Sequence, residues 1–183
     1  MSSSQLVMVA GAVFIASMTQ VLSGFGFALM SVPLMSLAVP TQQAVVISTV
    51  LGCGVTSWQA WAGRAIVDRE TAKRLIIAAY VGMPIGLLIF VTVDEHILKL
   101  MLGIAVLIAV VLLAVRVDMG RFGHGLEITA GFVSGVLNTS LSTNGPPLAF
   151  ALQARHLPPD RFRATINTAV SYTHLTLPTI YSV

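Results

Sequence analysis

The first charged residue of this chain is Arg64, and every position before it is apolar, small or uncharged polar. A membrane span takes about 20 residues, so the uncharged stretch is longer than one crossing. Over the whole chain 9% of residues are charged and 56% hydrophobic, against about 25% charged in soluble domains. An all-α polytopic membrane protein follows, with the lipid bilayer as its surroundings. An outer-membrane barrel would need alternating strands of about 10 residues, and that alternation is missing. The N-terminus lacks the positive region of a secretory signal. The net charge of +3 resides in short connectors, so no nucleic-acid partner is expected. Cys53 is the single cysteine, which excludes an intrachain disulfide and a cysteine metal cluster.

One stretch occurs twice. Residues 22–49 and 141–168, offset by 119 positions, match at Leu22/Leu141, Ser23/Ser142, Gly26/Gly145, Leu29/Leu148, Pro40/Pro159, Ile47/Ile166 and Thr49/Thr168. Each copy sets a polar knot rich in Gly or Pro inside an apolar run. A broken helix frees backbone groups that hydrocarbon cannot satisfy. Paired breaks in two halves point to a transporter binding site.

Five apolar regions are expected to be helical: Leu6 to Val39, Ala44 to Ala62, Leu75 to Val93, Leu100 to Val115 and Ile128 to Ala154. Arg64, Arg69, Lys73 and Arg74 follow the second region, so that connector is expected in the cytoplasm. Asp94 and Glu95 then fall outside, and Arg116 and Arg121 return to the cytoplasm. The connector 36–43 is uncharged, whereas its counterpart 155–162 carries Arg155, His156, Asp160 and Arg161. Corresponding loops on opposite faces mean inverted repeats. The first and fifth regions would then be re-entrant or hairpin helices, broken at Gly24-Phe25-Gly26 and Asn144-Gly145-Pro146-Pro147. The alternative is one plain crossing per region. Gly82 with Gly86, and Gly131 with Gly135, are small-residue pairs that let helices approach closely, and Pro84 is expected to kink its helix. Trp58 and Trp61 suit interface anchors.

The end of the chain reads differently. The adapter codons GTC TCT TAT ACA CAT CTG ACG CTG CCG ACG, from transposon-made sequencing libraries, translate to the residues at 170–179. The expected organisation is a first transmembrane repeat over 1–120, the start of a truncated second repeat over 121–170, and a non-native, poorly packed tail over 171–183. A complete two-repeat chain would run to about 240 residues. A natural divergent terminus is the alternative.

The knots carry the chemistry. A half-helix whose N-terminus points into a bundle presents free N–H groups and about half a positive charge, a ready anion site. Ser142, Thr143 and Asn144 are good cap residues. Gly145 permits close backbone approach, and Pro146 or Pro147 suits the first helical turn. Ser23, Gly24 and Gly26 offer the same with less polarity, and Asn138, Thr139 and Ser140 precede the second knot. The candidate substrate-binding set is Ser23, Gly24, Gly26, Asn138, Ser142, Thr143, Asn144, Gly145 and Pro146.

These residues resemble the sulfite exporter TauE/SafE family of bacterial membrane permeases. The resemblance rests on Gly24, Gly26 and Pro33 in the first repeat and on Gly135, Asn144, Gly145 and Pro146 in the second, and covers residues 5 to about 169. It implies movement of small anions, often sulfur oxyanions or organosulfonates, across the bacterial cytoplasmic membrane, with no cofactor. The second knot has Ser-Thr-Asn where the family commonly has further glycines.

Two other functions compete. An intramembrane enzyme would need a nucleophile with a base, or metal ligands, within the bundle. The apolar regions hold no His or Asp, His96 and His124 lie in connectors, and Glu127 is expected as a cap or solvated residue at a helix start. An anion channel or structural membrane subunit is the second alternative. No intramembrane carboxylate marks proton coupling, and oligomeric state has no signature.

Overall fold

The computed structural model describes residues 3–115 and 123–175. Its eight helices are α1 (Ser3–Ser23), α2 (Phe27–Met35), α3 (Thr41–Gly63), α4 (Arg69–Thr92), α5 (Glu95–Val115), α6 (Gly123–Leu141), α7 (Gly145–Gln153) and α8 (Pro159–Leu175). Among the described residues all regular structure is α-helical. Arg116, Arg121 and residues 176–183 lie outside the described residues.

Among the described residues three helices are long and apolar enough to cross a membrane: Ser3–Ser23, Thr41–Gly63 and Arg69–Thr92. At 1.5 Å per residue each reaches about 30 Å or more, the thickness of the hydrocarbon core. Their outward faces suit it. Leu6, Phe14, Val21 and Leu22 on α1, and Val81, Leu88 and Val91 on α4, are all exposed. Such contiguous apolar surface is unfavourable in water and is matched by lipid.

The first apolar region is two helices. α1 stops at Ser23 because Gly24 and Gly26 take φ of +83° and +99°, a backbone glycine adopts at little cost. The fifth region divides in the same way, with Ser142 at φ +55° after α6 and Pro146 and Pro147 in the first turn of α7. Pro84, by contrast, sits inside an unbroken α4. α8 is not among the five apolar regions, because its first half is polar. The repeat itself carries the signal: 119 positions earlier stands the start of α3.

Hydrogen bonds fix which connectors share an end of the bundle. At one end Gln5 Nε2 donates to the Ala38 carbonyl (2.9 Å) and Thr41 N–H to Glu95 Oε1 (3.3 Å). At the other, Asp68 N–H donates to Thr165 Oγ1 (3.0 Å) and Arg161 Nε to the Ile66 carbonyl (3.3 Å). The basic connectors 64–68 and 154–158 therefore meet, and connector 36–40 lies at the opposite end.

α4 and α6 form the tightest helix pair, as their small-residue pairs foretell. A Cβ added at Gly82 or Gly86 would overlap Phe132 O or Val136 O. One added at Gly131 would lie 2.7 Å from Leu75 O, and one at Gly135 2.8 Å from Ala79 Cα. Thr139 Oγ1 crosses the same interface to the Met83 carbonyl at 3.0 Å. One apolar core gathers Val32, Met35, Val45, Leu98 and Leu141. A second gathers Leu75, Leu148, Leu152, Ile166 and Ala169.

One expectation is corrected. Glu127 is no solvated cap: it is buried, and its carboxylate bridges Arg74 Nε and Arg155 Nε. The close α4–α6 contact carries it beneath Arg74. Of the tail expected over 171–183, only 171–175 fall within the described residues; there Ser171, Thr173 and His174 are buried and Tyr172 and Leu175 exposed. The register that α8 takes from Ile166 and Ala169 turns the buried three toward α3 and α6.

Candidate functional site

The two knots touch. A Cβ on Gly145 would stand 3.0 Å from Phe25 Cδ2 and 3.7 Å from Gly26 N. Between them lies a cavity lined by Gln20, Gly26, Ala28, Gly52, Thr56, Thr143, Asn144 and Gly145, with Phe25, Phe27, Leu29, Val170 and His174. Its volume is about 20 Å³, room for one water molecule. A tetrahedral anion needs the knots to part.

The nine candidate residues divide by position. Gly26, Thr143, Asn144 and Gly145 line the cavity. Ser23 does not; its hydroxyl lies 2.7 Å from Thr19 O and 2.5 Å from Phe25 O. Gly24 lies under Arg163, whose Cγ would be 2.8 Å from an added Cβ and whose Nη2 donates to the Leu22 carbonyl at 3.3 Å. That cation sits where the negative end of α1 favours it. Ser142 is held against Thr49, with 2.8 Å between hydroxyl oxygens. Asn138 is buried, donates through Nδ2 to the Thr173 carbonyl (3.2 Å), and has no partner for Oδ1. Pro146 faces a separate apolar groove of about 450 Å³ between α5, α6 and α7.

The donors available to a ligand follow from helix geometry. The first N–H groups of a helix have no intrahelical acceptor. In α2, Phe27 N–H goes to Gln20 Oε1 at 3.1 Å, which leaves those of Ala28 and Leu29. In α7, Pro146 and Pro147 have no N–H, which leaves Gly145. Asn144 adds its carboxamide, whose Nδ2 donates to Thr173 Oγ1 at 3.0 Å. Among the described residues no lysine, arginine or carboxylate lines the cavity, so its positive character comes from the helix ends.

Gln20 is the functional candidate that sequence reasoning misses. It is 2% exposed in an apolar helix. Besides capping α2, its Nε2 approaches Gln59 Oε1 (2.9 Å), Asn167 Oδ1 (3.3 Å) and Gly24 O (3.4 Å). The available signal is a primary amide within an apolar run, four residues before a glycine break. Thr56, which lines the cavity from α3, is equally silent in the sequence.

Outside the bundle core, burial tends to raise the Asp68 carboxyl, but the Thr71 N–H and hydroxyl, with Arg155 and Arg161, outweigh it and hold the group below its ordinary value of 3.8. Asp68 is the N-cap of α4. At the far end Lys99 and the Thr41 N–H lower Glu95. Among the described residues no cluster of three metal-ligating side chains occurs.

The family model described as Sulfite exporter TauE/SafE matches residues 9–181. No curated protein and no solved structure matches.

Proposed function

Because the chain belongs to the sulfite exporter TauE/SafE family, a family of multi-pass membrane transporters, we propose that it moves a small sulfur oxyanion or organosulfonate through the cavity between its knots. One observation carries the reading. The N-termini of α2 and α7 converge on one small cavity lined by Ala28, Leu29, Asn144 and Gly145, and the first N–H groups of a helix have no intrahelical acceptor. Helix ends favour anions, and neutral donors hold an anion without trapping it.

The transport cycle proposed is alternating access between inverted repeats, in the bacterial inner membrane. The end bearing Arg74, Arg155 and Arg161 is placed in the cytoplasm. Support comes from the hairpins: α1 and α2 are tied at one end through Gln5 and Ala38, α6 and α7 at the other through Glu127 and Arg155. Residues 171–183 are proposed to be adapter-derived, so the site is assigned to Gln20, Gly26, Thr56, Thr143, Asn144 and Gly145 without Thr173 or His174. Resequencing the source across codon 170 tests that point.

The test of function is calorimetric titration of the protein in lipid nanodiscs with sulfite, sulfate and methanesulfonate. Saturable binding of at least one, weakened about tenfold in N144A through loss of a donor to a charged ligand, is expected. No saturable binding of any of the three refutes the proposal.

A further inference from the structure

We infer that Gln20 sets the charge selectivity of the site, by capping α2 with a neutral oxygen where a carboxylate would cap as well. The inference rests on the anion reading above. Gln20 Oε1 takes the Phe27 N–H, the first donor of α2. The next two donors, Ala28 and Leu29, line the cavity together with Gln20 itself.

A cap oxygen does two things. It satisfies an N–H, and if ionised it cancels the half-positive charge of the helix end. A carboxylate at position 20 would give the stronger hydrogen bond and a worse anion site. The amide satisfies the same N–H and leaves the field intact. The side chain is held for this task from three directions. Gln59 on α3, Asn167 on α8 and the Gly24 carbonyl all face Nε2. Their hold turns Oε1 toward Phe27. Gln20 is thus a positioning and selectivity residue, linking both repeats to the mouth of α2.

Q20E is nearly isosteric and separates field from shape. The carboxylate keeps the Phe27 bond, and the Gln59 and Asn167 amides can rotate to donate to its second oxygen. The charged and titratable groups near position 20 are Arg163 over Gly24 on α8 and His174 across the cavity, also on α8. The elements α2, α3 and α7 present none to this cavity. Both groups are common to the two proteins, so the difference between variant and wild type isolates residue 20.

The experiment titrates sulfate and methanesulfonate, both predominantly in one charge state over the range, into both proteins in nanodiscs from pH 3 to 8. The two proteins are expected to bind alike only at the acid end. As the introduced carboxyl ionises, Q20E should weaken by on the order of a hundredfold, and acidification should restore it. Should Q20E fail to fold at neutral pH, preparation at pH 3, below the ordinary glutamate value of about 4.3, favours the neutral carboxyl, and raising the pH gives the same titration. Equal affinity of the two proteins across the whole range overturns the inference and leaves the anion site standing. A pH-independent loss in Q20E also overturns it, since that marks a purely structural role. Wild type that binds neither anion overturns the inference together with the reading on which it rests.

Discussion

The α4–α6 seam offers the sharpest test of the packing, through Gly135→Ala. A methyl at Gly135 would lie 2.7 Å from the Ala79 carbonyl carbon and 2.8 Å from Ala79 Cα. Carbon atoms rest about 3.5–4.0 Å apart, so the helices must separate by roughly 1 Å. Both obstacles are backbone, so no rotamer change relieves the clash. The separation also pulls on two bonds of the same interface, Thr139 to Met83 and Glu127 to Arg74. Overpacking of this kind costs about 1–3 kcal/mol. Against it stands a helix-propensity gain of about 0.8–1 kcal/mol for Gly→Ala. Gly54 in α3 provides the control, since nothing lies within 4 Å of an added Cβ there. G54A should be neutral or stabilise by up to about 1 kcal/mol. The propensity gain is common to both, so G135A should be the less stable, by about 1–3 kcal/mol. Reversible unfolding in mixed detergent micelles, followed by helical circular dichroism, measures the gap. G135A as stable as G54A would refute the close backbone contact and the helix pair built on it.

Glu127→Leu leaves two guanidiniums without their shared carboxylate; Arg74 and Arg155 keep 25% and 34% side-chain exposure, so the loss should sit at the low end for a broken buried pair, about 3 kcal/mol. Combining E127L with R74L and R155L should recover most of it in the same unfolding assay, and a triple variant no better than E127L alone contradicts the bridge. Asp68→Ala should cost about 1 kcal/mol near neutral pH through loss of the α4 cap. Because the folded Asp68 carboxyl is held below 3.8, its contribution is complete above that value and lost as the pH falls through the lower folded value. The wild-type advantage over D68A should therefore shrink in acid; an advantage that grows there contradicts the assignment.

The membrane class, the family and the glycines and prolines that stand at helix ends were legible in the chain itself. Uncharged length is a local property: no packing arrangement lets 63 residues without a charge avoid a large apolar surface. Glycine and paired prolines likewise act on their own backbone, so Gly24, Gly26 and Pro146 marked the ends of helices without reference to neighbours. The small-residue pairs at Gly82 and Gly131 announced close packing, though not with each other. Partnership between distant residues was the tertiary structure's to decide. Glu127 reads as a surface carboxylate until α4 and α6 close and bring Arg74 and Arg155 to it. Gln20 is one polar letter among apolar ones until Phe27, Gln59 and Asn167 converge on its amide. Which N–H groups stay free for a ligand depends on that convergence too, since a donor is available only when no side chain from another helix has taken it.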